Sequence, residues 1–399
     1  MKGWNSDKFK NQIECKSGYT WTKEQECSEP EAHSIRVLTV TNIQDKLDLT
    51  SELYLKDVKE KDKKGKTIGK DWTLAVGSNG NRKRIGNAVY IQENTDYLFA
   101  SFLIGFRPKE NSDIQPDYFY RWLSSYIVQE RISSVSEGTT GLGNLDLRYL
   151  KNMDIVYPNP TEQAAITNIL SKVDETIAAV QNSIDSAERL KKSLMQNLLT
   201  GKMKPDGTFR TPEEFYIDEK FGKVPVGWKC DKFKEFAVLQ RGNDLTDNEV
   251  IPGSYPVVKS NGVSIWHNQF FVEPPGVVTG RSGTIGKAFY IEERFWAHNT
   301  TLYVKDFKGN VPKYIYYLIL SMDFSRYYAG TTVPTLNRND IHKLKVIIPS
   351  ETNVQEQIVD RIDAAISIIQ EKQQKMATLE RLKKSLMQNL LTGKVRIKI

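Results

Sequence analysis

One fifteen-residue stretch occurs twice in the chain without any substitution. The copies span Glu188–Lys202 and Glu380–Lys394, and each reads ERLKKSLMQNLLTGK. Other matches follow in the same order: Gly3-Trp4 with Gly227-Trp228, Ile85–Ile91 with Ile285–Ile291, Pro116–Tyr120 with Pro312–Tyr316, and Gly138-Thr139-Thr140 with Gly330-Thr331-Thr332. We therefore predict a single structural unit that was duplicated and then diverged, with about thirty extra residues in the first copy, mostly before Ile85.

Length and composition agree with a duplication. A chain of 399 residues is too long for one ordinary domain, and 39% hydrophobic residues can fill two cores. The sequence has no run of eighteen apolar residues, and its first ten residues carry no apolar signal core, so we expect a cytoplasmic protein without a membrane partner. Cys15, Cys27 and Cys230 are odd in number, and we expect them to be reduced and structural.

The sequence pattern changes at Pro158 and again at Pro349. Before each proline, short β-branched runs such as Arg36–Thr41 and Gly276–Thr279 alternate with glycine and asparagine clusters, which predicts strands and turns. After each proline, apolar residues recur at intervals of seven, in two interleaved series. The first copy has Ile166, Val173, Val180, Ala187 and Leu194 with Leu170, Ile177 and Ile184; the second has Ile358, Ala365, Leu379 and Leu386 with Ile362, Ile369 and Met376. This spacing predicts amphipathic helices with a coiled-coil seam.

Each predicted helix would be about 60 Å long and ends in Thr-Gly, a sequence suited to a helix C-cap. We predict an α+β fold: two mixed α/β globular parts joined by two long antiparallel coiled-coil helices, with a pseudo-twofold internal repeat. A parallel or separately buried helix pair is the alternative. The predicted boundaries are 1–158 and 206–349 for the globular parts, and 159–205 and 350–399 for the helices.

Sequence motifs for catalysis are missing. The run Gly280–Ala288 has the wrong glycine spacing for a phosphate-binding loop and an alanine where a hydroxyl should bind magnesium. The four histidines are scattered, which is unlike a histidine metal site. We also find no Gly-x-Ser-x-Gly or Cys-His arrangement. We expect neither an active site nor a bound metal.

Glycine-rich turns with basic and amide side chains point to nucleic acid. The net charge of +7 permits such a partner. The turns are Gly77–Arg84 in the first copy, and Arg241–Thr246, Lys259–Gly262 and Gly280–Lys287 in the second. Asparagine matches the adenine edge, and arginine or lysine the guanine edge. The alternative is that these residues only make tight turns. The predicted DNA contacts are Asn79, Asn81, Arg82, Lys83, Arg84, Arg241, Asn243, Lys259, Asn261, Arg281, Ser282, Thr284 and Lys287.

The whole chain resembles the specificity subunit of type I restriction-modification systems. The resemblance rests on the duplicated arrangement and on these motifs: Gly227-Trp228, Gly280–Gly286, Asn299-Thr300-Thr301, Gly330-Thr331-Thr332, Ile155–Pro158 with Glu162-Gln163, and Ile347–Pro349 with Glu356-Gln357. The first copy departs from the usual glycine run, because Asn81–Arg84 stands in its place. We expect Thr139, Thr140, Thr331 and Thr332 of the repeated Gly-Thr-Thr motif to contact DNA as well.

The resemblance implies two target recognition domains, each reading one half of a split, asymmetric sequence in double-stranded DNA. It also implies two methyltransferase subunits that bring S-adenosylmethionine, and two restriction/translocase subunits that bring ATP and Mg²⁺. The chain itself would then be a non-catalytic DNA-binding subunit that holds no cofactor. Two rival interpretations are a coiled-coil adaptor that binds only proteins and a fused methyltransferase-nuclease, although the adenine-methylation motif is missing.

The identical blocks would present identical surfaces to two identical partners. Identity at polar positions favours a shared contact over a recent duplication without a binding role. The predicted partner-binding residues are Lys191, Lys192, Gln196 and Asn197 in the first copy, and Lys383, Lys384, Gln388 and Asn389 in the second.

Overall fold

The computed structural model describes residues 3–31, 33–135, 143–324 and 335–397. The chain forms two compact units. Unit 1 comprises Met1–Gln181 and Lys375–Ile399, and unit 2 comprises Asn182–Gln374. Each unit therefore combines one globular part with a portion of both long helices.

Unit 1 is a mixed α/β structure. Its strands are β1 Asn5–Lys8, β2 Ile13–Ser17, β3 Glu26–Cys27, β4 Ile35–Leu38, β5 Tyr54–Leu55, β6 Thr67–Ile68, β7 Thr73–Val76, β8 Ser78–Asn79, β9 Ala88–Tyr90, β10 Tyr97–Phe99, β11 Leu103–Pro108, β12 Gly143–Asn144 and β13 Asp154–Tyr157. Its helices are α1 Phe9–Gln12, α2 Glu60–Lys66, α3 Pro116–Leu123, α4 Tyr126–Val135, α5 Leu147–Asn152 and the first part of α6 Pro160–Leu199.

Unit 2 is built in the same way. Its strands are β14 Phe215–Asp218, β15 Gly222–Pro225, β16 Trp228–Lys232, β17 Val238–Arg241, β18 Tyr255–Lys259, β19 Gly262–His267, β20 Gly276–Gly280, β21 Ala288–Ile291, β22 Trp296–Ala297, β23 Thr301–Asp306 and β24 Lys345–Pro349. Its helices are the end of α6 from Asn182, α7 Pro312–Ser321, α8 Arg338–His342 and the first part of α9 Thr352–Leu390; the end of α9 belongs to unit 1.

The sheets carry the internal repeat. Unit 1 has a four-stranded sheet in the order β2-β11-β7-β9, and unit 2 has the matching order β17-β23-β20-β21. In each unit the strand that follows the Gly-Trp motif or contains its tryptophan pairs antiparallel with the last strand before the long helix, β1 with β13 and β16 with β24. The main difference is a five-stranded sheet in unit 1, β3-β5-β4-β10-β6, where unit 2 has the three strands β19-β18-β22. The extra residues of the first copy thus enlarge one sheet.

The predicted helical seam is confirmed. In α6, Ile166, Leu170, Val180 and Ile184 are buried, and in α9, Ile358, Ile362, Ala365 and Ile369 are buried. The remaining predicted seam residues are half-buried: Val173, Ile177, Ala187, Leu194, Met376, Leu379 and Leu386. The period-seven pattern therefore identified the face of each helix that is buried in the folded protein.

The two long helices pack together within each unit. In unit 1, Ile166 and Leu170 near the start of α6 share a core with Met387, Leu390 and Leu391 near the end of α9. In unit 2 the roles are exchanged. There, Leu198 and Leu199 near the end of α6 share a core with Ile358, Val359 and Ile362 near the start of α9.

The ends of α6 follow helix-capping rules. Pro160 is the first residue of the helix, a position whose N–H would have no partner within the helix, so proline is tolerated there. The side chain of Asn159 accepts a hydrogen bond from the Glu162 N–H at 3.0 Å and so caps the helix. Both helices are followed by a glycine in the left-handed region, Gly201 with φ 68° and Gly393 with φ 65°. The predicted glycine C-caps are therefore confirmed.

A buried ion pair fastens the C-terminal segment to the start of α6. The side chain of Glu162 is 2% exposed and accepts two hydrogen bonds from the Arg396 guanidinium, at 2.7 and 2.6 Å. That guanidinium also lies 5.6 Å from the ring centroid of Trp4. The hydrogen bonds from Arg396 hold the pKa of Glu162 below its ordinary value.

This lowered pKa predicts a pH dependence of stability. The stability from the pair is complete above the ordinary glutamate pKa of about 4.3, and it is lost as the pH falls through the lowered pKa of Glu162. Arg396→Met should lower the thermal midpoint at pH 7 and lose less on acidification than the wild type. Thermal unfolding at several pH values between pH 7 and about pH 3 measures this. Lys394→Met, which removes an exposed charge nearby, is the control; parallel curves for Arg396→Met and the wild type would contradict the assignment.

Candidate nucleic-acid interface

Each unit holds one loop in the same backbone framework, between the two strands at one side of the four-stranded sheet. In unit 2, between β20 and β21, the N–H groups of Arg281 and Ser282 donate to the Thr300 carbonyl at 2.8 and 3.1 Å. In unit 1, between β7 and β9, the N–H groups of Gly77 and Ser78 donate to the Phe102 carbonyl at 2.8 and 3.0 Å. The two loops are therefore structural equivalents.

A third hydrogen bond fixes the register between them. The Arg281 carbonyl accepts from Leu336 N–H at 2.7 Å, and the Gly77 carbonyl accepts from Leu145 N–H at 2.8 Å. Arg281 thus occupies the structural position of Gly77. By sequence, the glycine that matches Gly77 would be Gly280, one residue earlier. A Cβ at position 77 would lie 2.8 Å from the Ile104 side chain, so an arginine there would have to displace Ile104.

Basic side chains of unit 2 lie in two pairs, Arg281 with Arg241 and His298 with Lys259. Arg281 is half-buried; burial and then the charge of Arg241 lower the pKa of Arg281. Burial and then the charge of Lys259 lower the pKa of His298, which follows β22. The imidazole is therefore neutral at pH 7, and the positive charge at this edge comes from the arginines and the lysine.

Tight turns bring these segments together. A Cβ at Gly283 would lie 3.4 Å from the Ser260 hydroxyl, so the turn after β18 contacts the loop after β20. Asn299 donates to the Asp244 carboxylate at 2.6 Å, which ties the turn after β17 to the turn after β22. Four turns from separate parts of the sequence thus form one edge of unit 2, a basic edge that also carries the carboxylates of Asp244 and Asp247.

The other predicted contacts of unit 2 lie on these turns. Asn243 and Asn261 are exposed, Ser282 pairs its backbone with Thr335, and Thr284 is half-buried. Lys287 is exposed, and its carbonyl accepts from the Thr279 hydroxyl at 2.8 Å. The backbone is therefore used for structure, which leaves the side chains of Asn243, Asn261 and Lys287 directed to solvent.

In unit 1 the loop is longer, and several of its polar groups hold the turn itself. Asn79 accepts from Asn81 N–H at 2.7 Å, and Asn81 accepts from Lys83 N–H at 3.2 Å. The Arg84 guanidinium donates to the carbonyls of Val40 and Ile43, at 3.0 and 2.6 Å. Arg82 and Lys83, which stand between these anchors, are exposed. Thr139, Thr140, Thr331 and Thr332 lie outside the described residues.

The first copy of the repeated block lines a groove in unit 2. The groove has a volume of about 930 Å³ and lies between α6, α7 and β24. Lys191, Lys192 and Gln196 line it together with mainly apolar residues: Met195, Leu199, Leu318, Leu320, Met322, Val346 and Ile347. Lys191 pairs with Glu188 one turn earlier at 2.5 Å.

The second copy lines a smaller groove in unit 1, of about 550 Å³. Here Lys383 pairs with Asp174 of α6 at 2.7 Å, and the Lys384 ammonium lies 4.0 Å from the Tyr126 ring centroid. The walls are more polar and include Gln44, Asp45, Asn87, Ser124 and Gln129. Identical lysines thus make different contacts in the two units.

The remaining predicted partner residues lie outside both grooves. Asn197 donates to the Ser193 carbonyl at 2.9 Å, and Asn389 donates to the Ser385 hydroxyl at 3.4 Å. Gln388 is exposed.

The sequence analysis missed the exposed leucine of each block. Leu190 is 54% exposed and its counterpart Leu382 is 46% exposed. Neither leucine belongs to the period-seven series. An apolar residue that lies outside the seam and is repeated in both copies is the sequence signal that could have identified them. The same apolar side chain is therefore exposed once in each copy of the block.

Comparison with known proteins places these features in a family. The family model described as "Type I restriction modification DNA specificity domain" matches residues 1–189 and 225–381. The chain is similar to the type I restriction enzyme MjaVIII specificity subunit of Methanocaldococcus jannaschii, with 23% identity over 312 residues that cover 71% of each chain.

Two solved structures share the fold. The S subunit of a type I restriction-modification system from M. genitalium aligns with a TM-score of 0.58 and 15% identity over 99% of this chain and 96% of its own. A chain from a study of complex assembly and conformational transition in a type I restriction-modification system aligns with a TM-score of 0.62 and 12% identity over 99% of both chains. Across the described residues, no helix is both long and apolar enough to cross a membrane.

Proposed function

The chain belongs to the type I restriction-modification DNA specificity family, and from this premise we propose that each unit reads one half of a bipartite, asymmetric target in double-stranded DNA. Proteins of this family are DNA-recognition components and are generally not catalytic. The observation that carries the proposal is the pair of equivalent loops. They share three backbone hydrogen bonds but present different side chains, which is what two different half-sites require.

The side chains on these loops fit base recognition. Arg281, Arg241 and Lys287 are suited to guanine in unit 2, and Asn243 and Asn261 to adenine. In unit 1 the exposed Arg82 and Lys83 take this role, because Gly77 leaves no side chain at the place of Arg281. Asn79, Asn81 and Arg84 would then shape the loop that presents them.

We propose that α6 and α9 form an antiparallel coiled coil related by a rough twofold axis, and that this pair sets the length of the unread spacer. In each unit the start of one helix shares a core with the end of the other, which supports the antiparallel direction. Two units fixed to the helices would contact DNA at a defined separation, at about 3.4 Å for each base pair.

The two identical blocks are the proposed docking sites for two methyltransferase subunits. Each copy presents one exposed leucine at the same position, which supports one apolar contact in each unit, and the first copy also lines a mainly apolar groove. The methyltransferase subunits would bring S-adenosylmethionine to methylate adenine, and two restriction/translocase subunits would bring ATP and Mg²⁺. The alternative of an adaptor that binds only proteins predicts the same docking but no sequence-specific DNA binding.

Arg281→Ala tests base recognition. If Arg281 contacts a guanine, the complex should lose about 1–3 kcal/mol of binding, roughly 5- to 150-fold in affinity, for the target but not for random duplex. Competition binding with labelled duplexes measures both. Arg294→Ala, which removes an equal charge paired with Glu273 at 3.0 Å, should leave the preference unchanged. An equal loss on target and random DNA would mean that Arg281 contacts only phosphate.

Leu190→Asp and Leu382→Asp test docking. A carboxylate in an apolar contact is costly to desolvate, so each single variant should bind one methyltransferase subunit and the double variant none. Native mass spectrometry of the co-expressed complex measures the stoichiometry. Ile368→Asp, at a 47% exposed position on α9 outside the block, is the matched control and should keep both partners. Full assembly of the double variant would remove the docking role from these leucines.

A further inference from the structure

A buried glutamine joins α6 to the globular part of unit 1. Gln163 is fully buried in the first turn of the helix. Its side-chain carbonyl accepts from Gln115 N–H at 2.8 Å, and its NH₂ group donates to the carbonyls of Asp113 (2.9 Å) and Pro158 (2.8 Å). Gln115 is the N-cap of α3, so one side chain satisfies the end of a neighbouring helix.

Unit 2 contains the same connection. Gln355 is fully buried, its carbonyl accepts from Val311 N–H at 2.9 Å, and its NH₂ group donates to Asn310 Oδ1 (2.8 Å) and the Pro349 carbonyl (3.0 Å). Val311 is the N-cap of α7. The sequence motif pointed instead to Gln357, which is exposed.

A second contact lies farther along each long helix. In unit 1, Asp174 of α6 pairs with Arg121 near the end of α3. In unit 2, Asp363 of α9 pairs with the Lys313 ammonium at 2.7 Å and accepts from the Tyr317 hydroxyl. Burial and then Asp363 raise the pKa of Tyr317, so this hydroxyl keeps its proton and donates. Each short helix is thus held by the long helix at two points.

These two polar contacts add to apolar packing between the same helices, since Tyr314 and Ile315 of α7 share a core with Ile358 of α9. Apolar packing is non-directional, so the two polar contacts are what restrict the angle between the helices. The contacts are eleven helical residues apart in α6 and eight in α9, or about 16 and 12 Å at 1.5 Å per residue. The short helices belong to the recognition sheets. α7 packs on β20 and β21, the strands on either side of the loop with Arg281, and α3 packs on β9 and β11. The angle of α3 or α7 therefore sets the direction of the loop.

We propose that Gln163 with Asp174, and Gln355 with Asp363, form two-point clamps that orient each recognition domain on its helix and so select the spacer length of the target. The inference rests on the proposed function. These are positioning residues, because they act through α3 and α7 and touch no base. A rotation of about 10° moves a point about 20 Å away by about 3.5 Å, close to the rise of one base pair. A loosened clamp should therefore tolerate a spacer one base pair longer or shorter.

The test uses unit 2, where the clamp residues do not line the groove of the repeated block. Gln355→Met keeps the length of the side chain and removes its hydrogen bonds, and Gln355→Met with Lys313→Met weakens both points. The complex with the methyltransferase subunits is measured on duplexes with the native spacer and with one base pair added or removed. The target is first identified from methylated positions in host DNA.

We expect the preference for the native spacer to fall about fivefold or more in Gln355→Met, and further in the double variant. Discrimination against changes within each half-site should stay as in the wild type. Val272→Ala, in a separate cluster that contains no helix residue, should lower the thermal midpoint without changing spacer preference.

Three outcomes would overturn the inference or its premise. A lower thermal midpoint with unchanged spacer preference would reduce the clamp to a stability element. Joint loss of spacer and half-site discrimination would mean that the domain is damaged rather than reoriented. A wild-type complex without sequence preference would contradict the proposed function itself, and with it the inference.

Discussion

Burial of the apolar seams of α6 and α9 is the constraint on which the rest of the structure depends. Helices of 40 and 39 residues with an apolar stripe are stable only if that stripe is covered. Each fully buried isoleucine or leucine contributes about 1.5–3 kcal/mol, so the seam stabilises both helices along their length. Each compact unit uses this burial, because its core combines a globular part with segments of both helices.

Against this shared framework, the two globular parts have diverged in their side chains. The four-stranded sheets keep one strand order, and the recognition loops keep three backbone hydrogen bonds. Within that frame, Arg281 stands in one unit and Gly77 in the other, and the longer loop of unit 1 is held by Arg84. In the repeated helical blocks, by contrast, the residues are identical and the contacts around them differ between the two units. Variation thus concentrates where DNA is proposed to bind, and identity where the partner is proposed to bind.

The sequence predicted the features that depend on periodicity and repetition. These include the duplication, the seam residues such as Ile166 and Ile358, and the glycines Gly201 and Gly393 after the helices. It could not show that Arg84 is bonded to the carbonyls of residues about forty positions earlier, because such contacts are set by tertiary structure. The resemblance motif contains Gln357, whereas the buried counterpart of Gln163 is Gln355. Gln355 and Gln357 are about 200° apart around the helix, so a shift of two residues exchanges the buried face for the exposed one.

A domain exchange can show whether the two units read separate halves of one DNA target. Residues 1–158 would be replaced by the equivalent segment of a relative with a different target, and the methylated positions in host DNA would be sequenced. Because the recognition loop of unit 1 is built from its own globular part, we expect one half-site to change while the other half-site stays the same. A change in both half-sites, or in neither, would contradict this expectation.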